Sequence, residues 1–154
     1  MTNMTPRPWM IYGAYGFTGR LILEEAVRRG HKPILAGRDR RQIEDLAKRH
    51  GLQSHVLSLD DPAALRATVR GRDLVVNAAG PIAETGPKLI TACLDVGTAY
   101  MDVSGEFHHL QFVEALDARA KQAGIALLTG AGFGVTYGDC LARYALDRLP
   151  GGNG

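Results

Sequence analysis

The chain has 154 residues, of which 45% are hydrophobic and 22% charged, a balance typical of one folded globular domain. Its 18 basic and 16 acidic residues give a formal charge of +2, which offers no electrostatic indication of nucleic-acid binding. No apolar run approaches the ~20 residues of a membrane-spanning helix, and residues 1–8 lack the apolar segment of a secretion signal. We therefore expect a cytoplasmic protein.

The first predicted element is a short apolar strand at 9–12, which leads through three glycines into a helix. The spacing Gly13-x-x-Gly16-x-x-Gly19 is a variant of the dinucleotide-binding motif. Gly13 would allow a sharp turn after the strand, Gly16 the close approach of a pyrophosphate, and Gly19 close packing of the helix on the sheet.

The helix after these glycines is predicted to begin near Phe17 and Thr18, where unpaired N–H groups favour an anion. Tyr15, inside the loop, is a further candidate for contact with the cofactor, beside Phe17 and Thr18. An ordinary tight turn would use the same residues, so the motif has to be judged together with the rest of the chain.

Beyond the motif, helices of mixed charge alternate with short apolar runs. Helix starts are indicated by Asp39 with Gln42, by Asp61 before a proline, by Thr85 and by Ser104. The predicted helices are 17–29, 39–50, 62–70, 86–96, 106–123 and 139–148, and the predicted strands are 9–12, 33–36, 54–58, 74–77, 99–103 and 125–128.

A glycine follows each of the first five helices, where a left-handed residue would end the helix. These glycines are Gly30, Gly51, Gly71, Gly97 and Gly124.

Apolar strands that alternate with helices need crossover connections, and these give a parallel sheet covered on both faces. Six such units predict a doubly wound α/β sheet, a Rossmann fold with strand order 3-2-1-4-5-6. The domain is expected over 9–149, after an N-terminal tail at 1–8. Residues 150–154, Pro-Gly-Gly-Asn-Gly, have the composition of a flexible domain boundary, which predicts truncation before a substrate or dimerisation domain.

Ligands of this fold bind beyond the carboxyl ends of the strands. After the second strand stands Arg38, where an acidic residue would otherwise bind a ribose 2′-hydroxyl, and a guanidinium suits a 2′-phosphate. NADP is therefore favoured over NAD. Alternatively Arg38, Arg40 and Arg41 form a solvated helix start. Asp39 keeps NAD open, although its spacing is that of a capping residue.

Two further strand ends supply candidates. Asp60 would accept a hydrogen bond from the adenine amino group, or else share the capping of the next helix with Asp61. Ala79, Gly80 and Pro81 are small enough for the ribose and nicotinamide to lie against the backbone, and a rigid turn would use the same residues.

The fifth strand is followed by Asp102, Ser104 and Glu106. Asp102 and Glu106 would be a proton-handling pair, or else Ser104 and Glu106 serve the start of the next helix. His108 and His109 do not indicate a metal site, because adjacent helix positions point about 100° apart and no third ligand has suitable spacing. No metal is therefore expected, and the catalytic residues stay unknown.

The spacing of the tyrosines argues against one dehydrogenase mechanism. None of the five tyrosines is followed four positions later by lysine, so the tyrosine–lysine pair of short-chain dehydrogenases is missing. Cys93 and Cys140 are each predicted to be small buried residues within helices. Residues 129–139, with four glycines from Gly130 to Gly138, are predicted to be a mobile loop that covers the nicotinamide or leads to another domain.

Five segments carry a family resemblance: 12–20, 36–39, 76–81 with Gly86-Pro87, 92–106, and 132–134 with Asp139. In this order they resemble the saccharopine dehydrogenase-like proteins, which include trans-acting enoyl reductases. The resemblance implies an NAD(P)-binding Rossmann domain with the phosphate loop at 13–19, the 2′-phosphate residue at Arg38 and the nicotinamide-side turn at 79–81. It also implies a second α/β domain that helps to bind substrate and often mediates formation of a homodimer.

Members of this family act on substrates as different as amino-acid adducts and lipid-like enoyl groups, so the fold does not transfer the reaction. The favoured function is the domain of an oxidoreductase that holds NADP(H) while hydride moves to or from a small-molecule or lipid-like substrate on the second domain. The alternative is a non-catalytic NADP(H)-binding redox sensor. A mononucleotide site is disfavoured because Arg38 and the turn at 77–81 mark both halves of a dinucleotide.

Overall fold

Six strands form one sheet, which is flanked by helices, in a computed structural model that describes residues 8–149. Most of the expected N-terminal tail and all of 150–154 lie outside the described residues. Among residues 8–149, no helix is long and apolar enough to cross a membrane. In chain order the elements are β1 Met10–Tyr12, α1 Phe17–Arg28, β2 Ile34–Gly37, α2 Arg40–His50, β3 Ser54–Val56, α3 Pro62–Val69, β4 Leu74–Asn77, α4 Ile82–Val96, β5 Ala99–Asp102, α5 Phe107–Glu114, α6 Asp117–Ala123, β6 Leu127–Leu128 and α7 Phe133–Leu146.

The strand order is β3-β2-β1-β4-β5-β6, and every neighbouring pair is parallel, as predicted. Ile11 of β1 pairs with Leu35 of β2 on one side and Val76 of β4 on the other. All six predicted strands are present, with bounds shifted by at most two residues. After β1 the chain adds β2 and β3 on one side of this strand and then β4 on its other side. This reversal of direction opens a crevice at the carboxyl ends of β1 and β4.

The core has two layers because successive strand residues point to opposite faces. Met10 and Tyr12 pack with side chains from α3, α4 and α6, whereas Ile11 packs with Leu23 of α1 and Ile43 of α2. All three β1 residues are at most 4% exposed. The central strand is therefore buried on both sides, which explains its continuous apolar sequence.

The helix starts predicted at Asp39 and Asp61 are confirmed, whereas the N-cap of α5 is Glu106 and not Ser104. Asp39 accepts a hydrogen bond from Gln42 N at 3.0 Å, and Asp61 accepts from Ala63 N and Ala64 N at 3.0 and 2.9 Å. All five glycines expected after helices have positive φ, between 63° and 80°: Gly30, Gly51, Gly71, Gly97 and Gly124.

The predicted start of α4 at residue 86 was wrong, because this helix begins at Ile82. Pro81 is its N-cap, and the Pro81 carbonyl accepts hydrogen bonds from the N–H groups of Glu84 and Thr85. Gly86 and Pro87 therefore lie inside the helix, where the proline removes one backbone donor without ending it. Thr85 is a first-turn residue rather than a cap.

The helix predicted over 106–123 is divided into α5 and α6. Its backbone leaves the helical region at Leu116, where ψ is 1°. Val113 and Ala120, on either side of this break, are both buried in the same core cluster. The break thus joins two short helices that cover one face of the sheet.

The glycine-rich loop predicted at 129–139 is also corrected, because α7 begins at Phe133 and not at 139. Gly134 and Gly138 are helical, and no atom would lie within 4 Å of a Cβ at either position. Cys93 is buried as predicted, and burial raises the pKa of its thiol to about 12. Cys140 was expected to be buried but is exposed, because α7 buries none of its residues.

Candidate cofactor site

A cleft of about 610 Å³ lies at the carboxyl ends of the central strands. Ten of the eleven cofactor-binding candidates from the sequence line the cleft: Gly13, Tyr15, Gly16, Phe17, Thr18, Arg38, Asp60, Ala79, Gly80 and Pro81. The remaining candidate, Gly19, lies beneath the glycine loop and not in the cleft wall.

Position 13 requires a glycine because of both its backbone conformation and its surroundings. Its φ is +81°, and a Cβ at this position would lie 2.7 Å from Ala79 Cβ and 2.8 Å from Ala79 N. The loop after β1 therefore touches the turn after β4 through a residue without a side chain. A Cβ on Gly19 would overlap the Gly13 carbonyl, so the third glycine lets α1 begin directly beneath the loop.

The N-terminus of α1 opens into this cleft. Gly16 is its N-cap with extended backbone, and no side chain caps the helix. The first N–H groups, including those of Phe17 and Thr18, therefore remain available to an anion at the positive end of the helix dipole. The loop itself is held by the Arg20 guanidinium, whose Nε donates to the Tyr15 carbonyl at 2.9 Å.

The ring of Tyr15 lies on the end of β2. A Cβ at Gly37, the last residue of that strand, would overlap the Tyr15 ring. The aromatic side chain thus forms a wall of the cleft between the glycine loop and Arg38. The sequence places a glycine at this strand end, but it gives no indication that an aromatic ring occupies the space.

Arg38 and its neighbours have different partners. Arg40 forms an ion pair with Glu44 at 2.8 Å, and both carboxylate oxygens of Asp39 accept from Gln42. These hydrogen bonds, that of the Gln42 side chain first, lower the pKa of Asp39. Within residues 8–149, Arg38 has neither a hydrogen bond nor an ion pair, and its side chain is exposed at the cleft.

Asp60 follows β3, the strand next to β2, and also lines the cleft; it does not cap α3, a role that Asp61 takes alone. The Lys88 ammonium donates to Asp60 Oδ1 at 2.6 Å and holds the pKa of the carboxyl below its usual range. Lys88, on the second turn of α4, was not recognised from the sequence. Its distance of 28 positions from Asp60 leaves no local signal.

The turn after β4 has little free backbone. Ala78 N donates to the Tyr12 carbonyl at 2.9 Å, and Ala79 N donates to Asn77 Oδ1 at 3.1 Å. The Ala79 carbonyl accepts from the Thr85 hydroxyl at 2.7 Å. Side chains from two flanking elements therefore fix the peptide groups of this turn.

Asn77 continues into a buried polar network below the turn. Its Nδ2 donates to Thr85 Oγ1 at 2.9 Å and to Tyr100 Oη at 3.1 Å, and the Tyr100 hydroxyl donates to Asp102 Oδ2 at 3.0 Å. Burial raises the pKa of Tyr100, so its hydroxyl keeps the proton that it donates. His109 Nε2 lies 2.7 Å from the same carboxylate oxygen.

Asp102 is fully buried, and its other oxygen accepts from Ser104 N, Thr129 Oγ1 and Gly130 N. Burial alone would raise the pKa of this carboxyl, but the hydrogen bonds, led by Ser104 N–H, outweigh it and lower the pKa. An ionised carboxylate is therefore stable here, and both of its oxygens are occupied. This geometry favours the structural alternative for Asp102 over proton exchange with a ligand.

Glu106 and the histidines complete this side of the site. Glu106 Oε1 accepts from Ile82 N at 3.1 Å, so a residue from the loop before α5 satisfies the first N–H of α4. The Ser104 hydroxyl accepts from Glu106 N at 3.0 Å. His109 is buried beside Gly86, and its Nδ1 has no hydrogen-bond partner among the described residues. His108 is exposed.

Comparison with known proteins places this geometry in a family. Residues 9–128 match the model of the saccharopine dehydrogenase NADP binding domain. A saccharopine dehydrogenase-like oxidoreductase of Bos taurus is 30% identical over 97% of this chain and 40% of its own length. A Mycobacterium tuberculosis protein named for a trans-acting enoyl reductase is 33% identical over 92% of this chain and 36% of its own.

The fold has a solved counterpart in saccharopine dehydrogenase (L-Glu forming) from Saccharomyces cerevisiae in its apo form. The TM-score is 0.79 and the identity 19%, over 93% of this chain and 31% of the yeast chain. The chain thus spans about 40% or less of the relatives it matches. Its strand order, its glycine loop and the family match over 120 positions together show that the chain belongs to the saccharopine dehydrogenase NADP-binding domain family.

Proposed function

We propose that this chain is the cofactor-binding part of an NADP-dependent oxidoreductase and that the cleft holds NADP(H) in an extended form. The cofactor supplies the hydride when it is bound, and the chain supplies binding, orientation and electrostatics. The family match gives the cofactor class. The residue assignments below are our proposal.

The unpaired guanidinium of Arg38 is the observation that carries this proposal. Its neighbour Asp39 is engaged in capping α2, so the strand end presents a cation and not a free carboxylate to a ribose. A 2′-phosphate would give Arg38 charge-assisted, bidentate hydrogen bonds. The ribose 2′-hydroxyl of NAD would offer Arg38 no negative charge.

The rest of the cofactor follows from the order of the strands. The pyrophosphate would lie on the free N–H groups of Phe17 and Thr18, beside Gly16 and Tyr15. The adenine would lie toward β3, where the Asp60 carboxylate, which already binds Lys88, would also accept from the amino group. The nicotinamide end would lie against the turn 79–81.

Titration of the purified chain with NADPH and NADH tests the assignment of Arg38. Arg38→Ala should weaken NADPH binding by about 10- to 100-fold, the equivalent of a charge-assisted hydrogen-bond pair, and leave NADH unchanged. Arg40→Ala is the matched control, because Arg40 lies on the same segment but pairs with Glu44. It should change neither affinity by more than about twofold.

Two results would contradict the proposal. If the wild-type chain bound neither cofactor, the cleft would not be a dinucleotide site. If Arg38→Ala weakened NADPH and NADH equally, the guanidinium would not recognise the 2′-phosphate. Raising the salt concentration should reduce the preference for NADPH, because the proposed contact is exposed and ionic.

We further propose that substrate binds on a second domain that packs against α7. The helix α7, whose Thr136 Oγ1 donates to the Gly130 carbonyl at 3.4 Å, presents an apolar face that none of residues 8–149 covers. Its spacing of four, four and three residues places the side chains on one side of the helix. They are Phe133, Tyr137, Leu141 and Tyr144, which are 81%, 60%, 65% and 57% exposed.

The relatives support this arrangement because the chain covers only 40% of the length of the Bos taurus oxidoreductase. An immunoblot of the source cells with an antibody against this chain would test it. A band well above 16.6 kDa would fit the part of an oxidoreductase. A single band at 16.6 kDa would contradict the second domain and favour the alternative, an NADP(H)-binding redox sensor.

A further inference from the structure

We propose that Thr85 and Tyr100 are positioning residues for the nicotinamide end of the cofactor and that they act through the backbone of Ala79. The inference rests on the proposed binding of NADP(H) in the cleft. Neither side chain is assigned a contact with the cofactor. Their effect is to fix the shape of the turn 79–81 against which the nicotinamide lies.

The first step is the constraint on Ala79 itself. Its N–H is taken by Asn77 Oδ1 and its carbonyl by the Thr85 hydroxyl, at 3.1 and 2.7 Å. The peptide groups on both sides of Ala79 are thus each held by a hydrogen bond, which keeps them from rotating toward a ligand. The backbone N–H that remains without a partner in the described turn is that of the exposed Gly80. The turn therefore offers a ligand one defined donor.

The second step is the way in which Asn77 is held. Its side-chain amide would be free to rotate if Oδ1 alone were bonded, but Nδ2 donates to both Thr85 and Tyr100. Tyr100 can accept from Asn77 because its own proton is given to Asp102. The direction of each hydrogen bond is thus set by the buried carboxylate.

The third step explains why this turn should matter to the whole cofactor. Ala79 lies against Gly13 so closely that a Cβ on the glycine would be 2.7–2.9 Å from three Ala79 atoms. Beyond the turn, Glu106 holds the first N–H of α4. The turn is therefore fixed on both sides, and Thr85 and Tyr100 fix it from below.

The test separates the two ends of the cofactor. Thr85→Val and Tyr100→Phe each remove one hydroxyl and keep the shape of the side chain. Both should weaken NADPH binding by about 5- to 10-fold, the equivalent of one buried hydrogen bond. Adenosine 2′,5′-bisphosphate lacks the nicotinamide, so its affinity for each variant should stay within about twofold of its affinity for the wild type. The fluorescence of bound NADPH, which reports on the nicotinamide, should also change.

Two control variants refine the interpretation. Thr85→Ser keeps the hydroxyl and should restore NADPH affinity. Thr91→Val is the matched control, because Thr91 lies on the same helix and its hydroxyl donates to the Pro87 carbonyl at 2.8 Å, away from the turn. It should bind both ligands as the wild type does.

The inference is overturned if Thr85→Val and Tyr100→Phe bind NADPH as tightly as the wild type, while Arg38→Ala binds it more weakly. It is also overturned if both variants lose the bisphosphate and NADPH in parallel with a fall in melting temperature, since that is the effect of a purely structural hydroxyl. If the wild type bound neither ligand, the proposed function would fail together with it.

Discussion

Replacing Gly13 with alanine tests the contact between the glycine loop and the turn after β4. Alanine at φ +81° costs ~1–2 kcal/mol in backbone strain. The new Cβ would lie 2.7–2.9 Å from Ala79, where ordinary contacts are 3.4–4 Å, so one of the two loops must move. Overpacking of this kind costs a further ~1–3 kcal/mol. The expected loss of unfolding free energy is therefore ~2–5 kcal/mol.

Gly30→Ala separates these two effects. Gly30 has almost the same φ, +80°, but a Cβ there would meet no atom of residues 8–149 within 4 Å, so only the strain of ~1–2 kcal/mol is expected. Urea denaturation gives both free energies, and NADPH titration should show a loss of about 10-fold or more for Gly13→Ala alone, since the displaced loop forms the proposed pyrophosphate site. Equal free-energy losses for the two variants, with equal NADPH affinities, would refute the reasoning.

Two further predictions concern buried and exposed side chains. Asp102→Asn should reduce stability at pH 7 by ~3 kcal/mol, because a buried carboxylate with five hydrogen-bond donors is replaced by an amide that brings donors of its own. The pKa of Asp102 is lower in the folded than in the unfolded state, so its contribution is present above the unfolded pKa of about 3.9 and disappears as the pH falls through the folded one. The difference in urea midpoint between wild type and variant should therefore shrink in acid, and a constant difference from pH 7 to pH 3 would contradict this. With a thiol reagent, the exposed Cys140 should react at once and Cys93, with its pKa raised to about 12, only as the chain unfolds; two fast thiols in the native protein would show that Cys93 is accessible.

The features that the sequence predicts best are those set by neighbouring residues. Asp39 and Asp61 accept hydrogen bonds from N–H groups two or three positions away, and the left-handed glycines end helices that closely precede them. The strand order follows almost as directly, because short apolar strands separated by helices have few ways to pair in parallel. The same local logic located the glycine loop.

The features that escape sequence reasoning depend on distant partners. α4 begins at Ile82 because Pro81 caps it and Glu106, 24 positions away, takes its first N–H. Tyr100 is separated from Asn77 by 23 positions, so no spacing indicates that they share a hydrogen bond. The start of α7 was predicted too late for a different reason. Its glycines indicated a loop, although the aromatic residues Phe133, Tyr137 and Tyr144 recur at helical spacing.

The packing of Gly86 against His109 restricts how this protein can be stabilised. Glycine within a helix ordinarily costs ~1 kcal/mol relative to alanine, so a helix-propensity scale would select Gly86 as a site for improvement. Here the missing Cβ is the space that the buried imidazole occupies. Glycine lowers the helix propensity of α4 at this position, but it leaves room for His109 of α5 to reach the carboxylate of Asp102. A redesign of this helix has to begin from the ring on the neighbouring element and not from the helix itself.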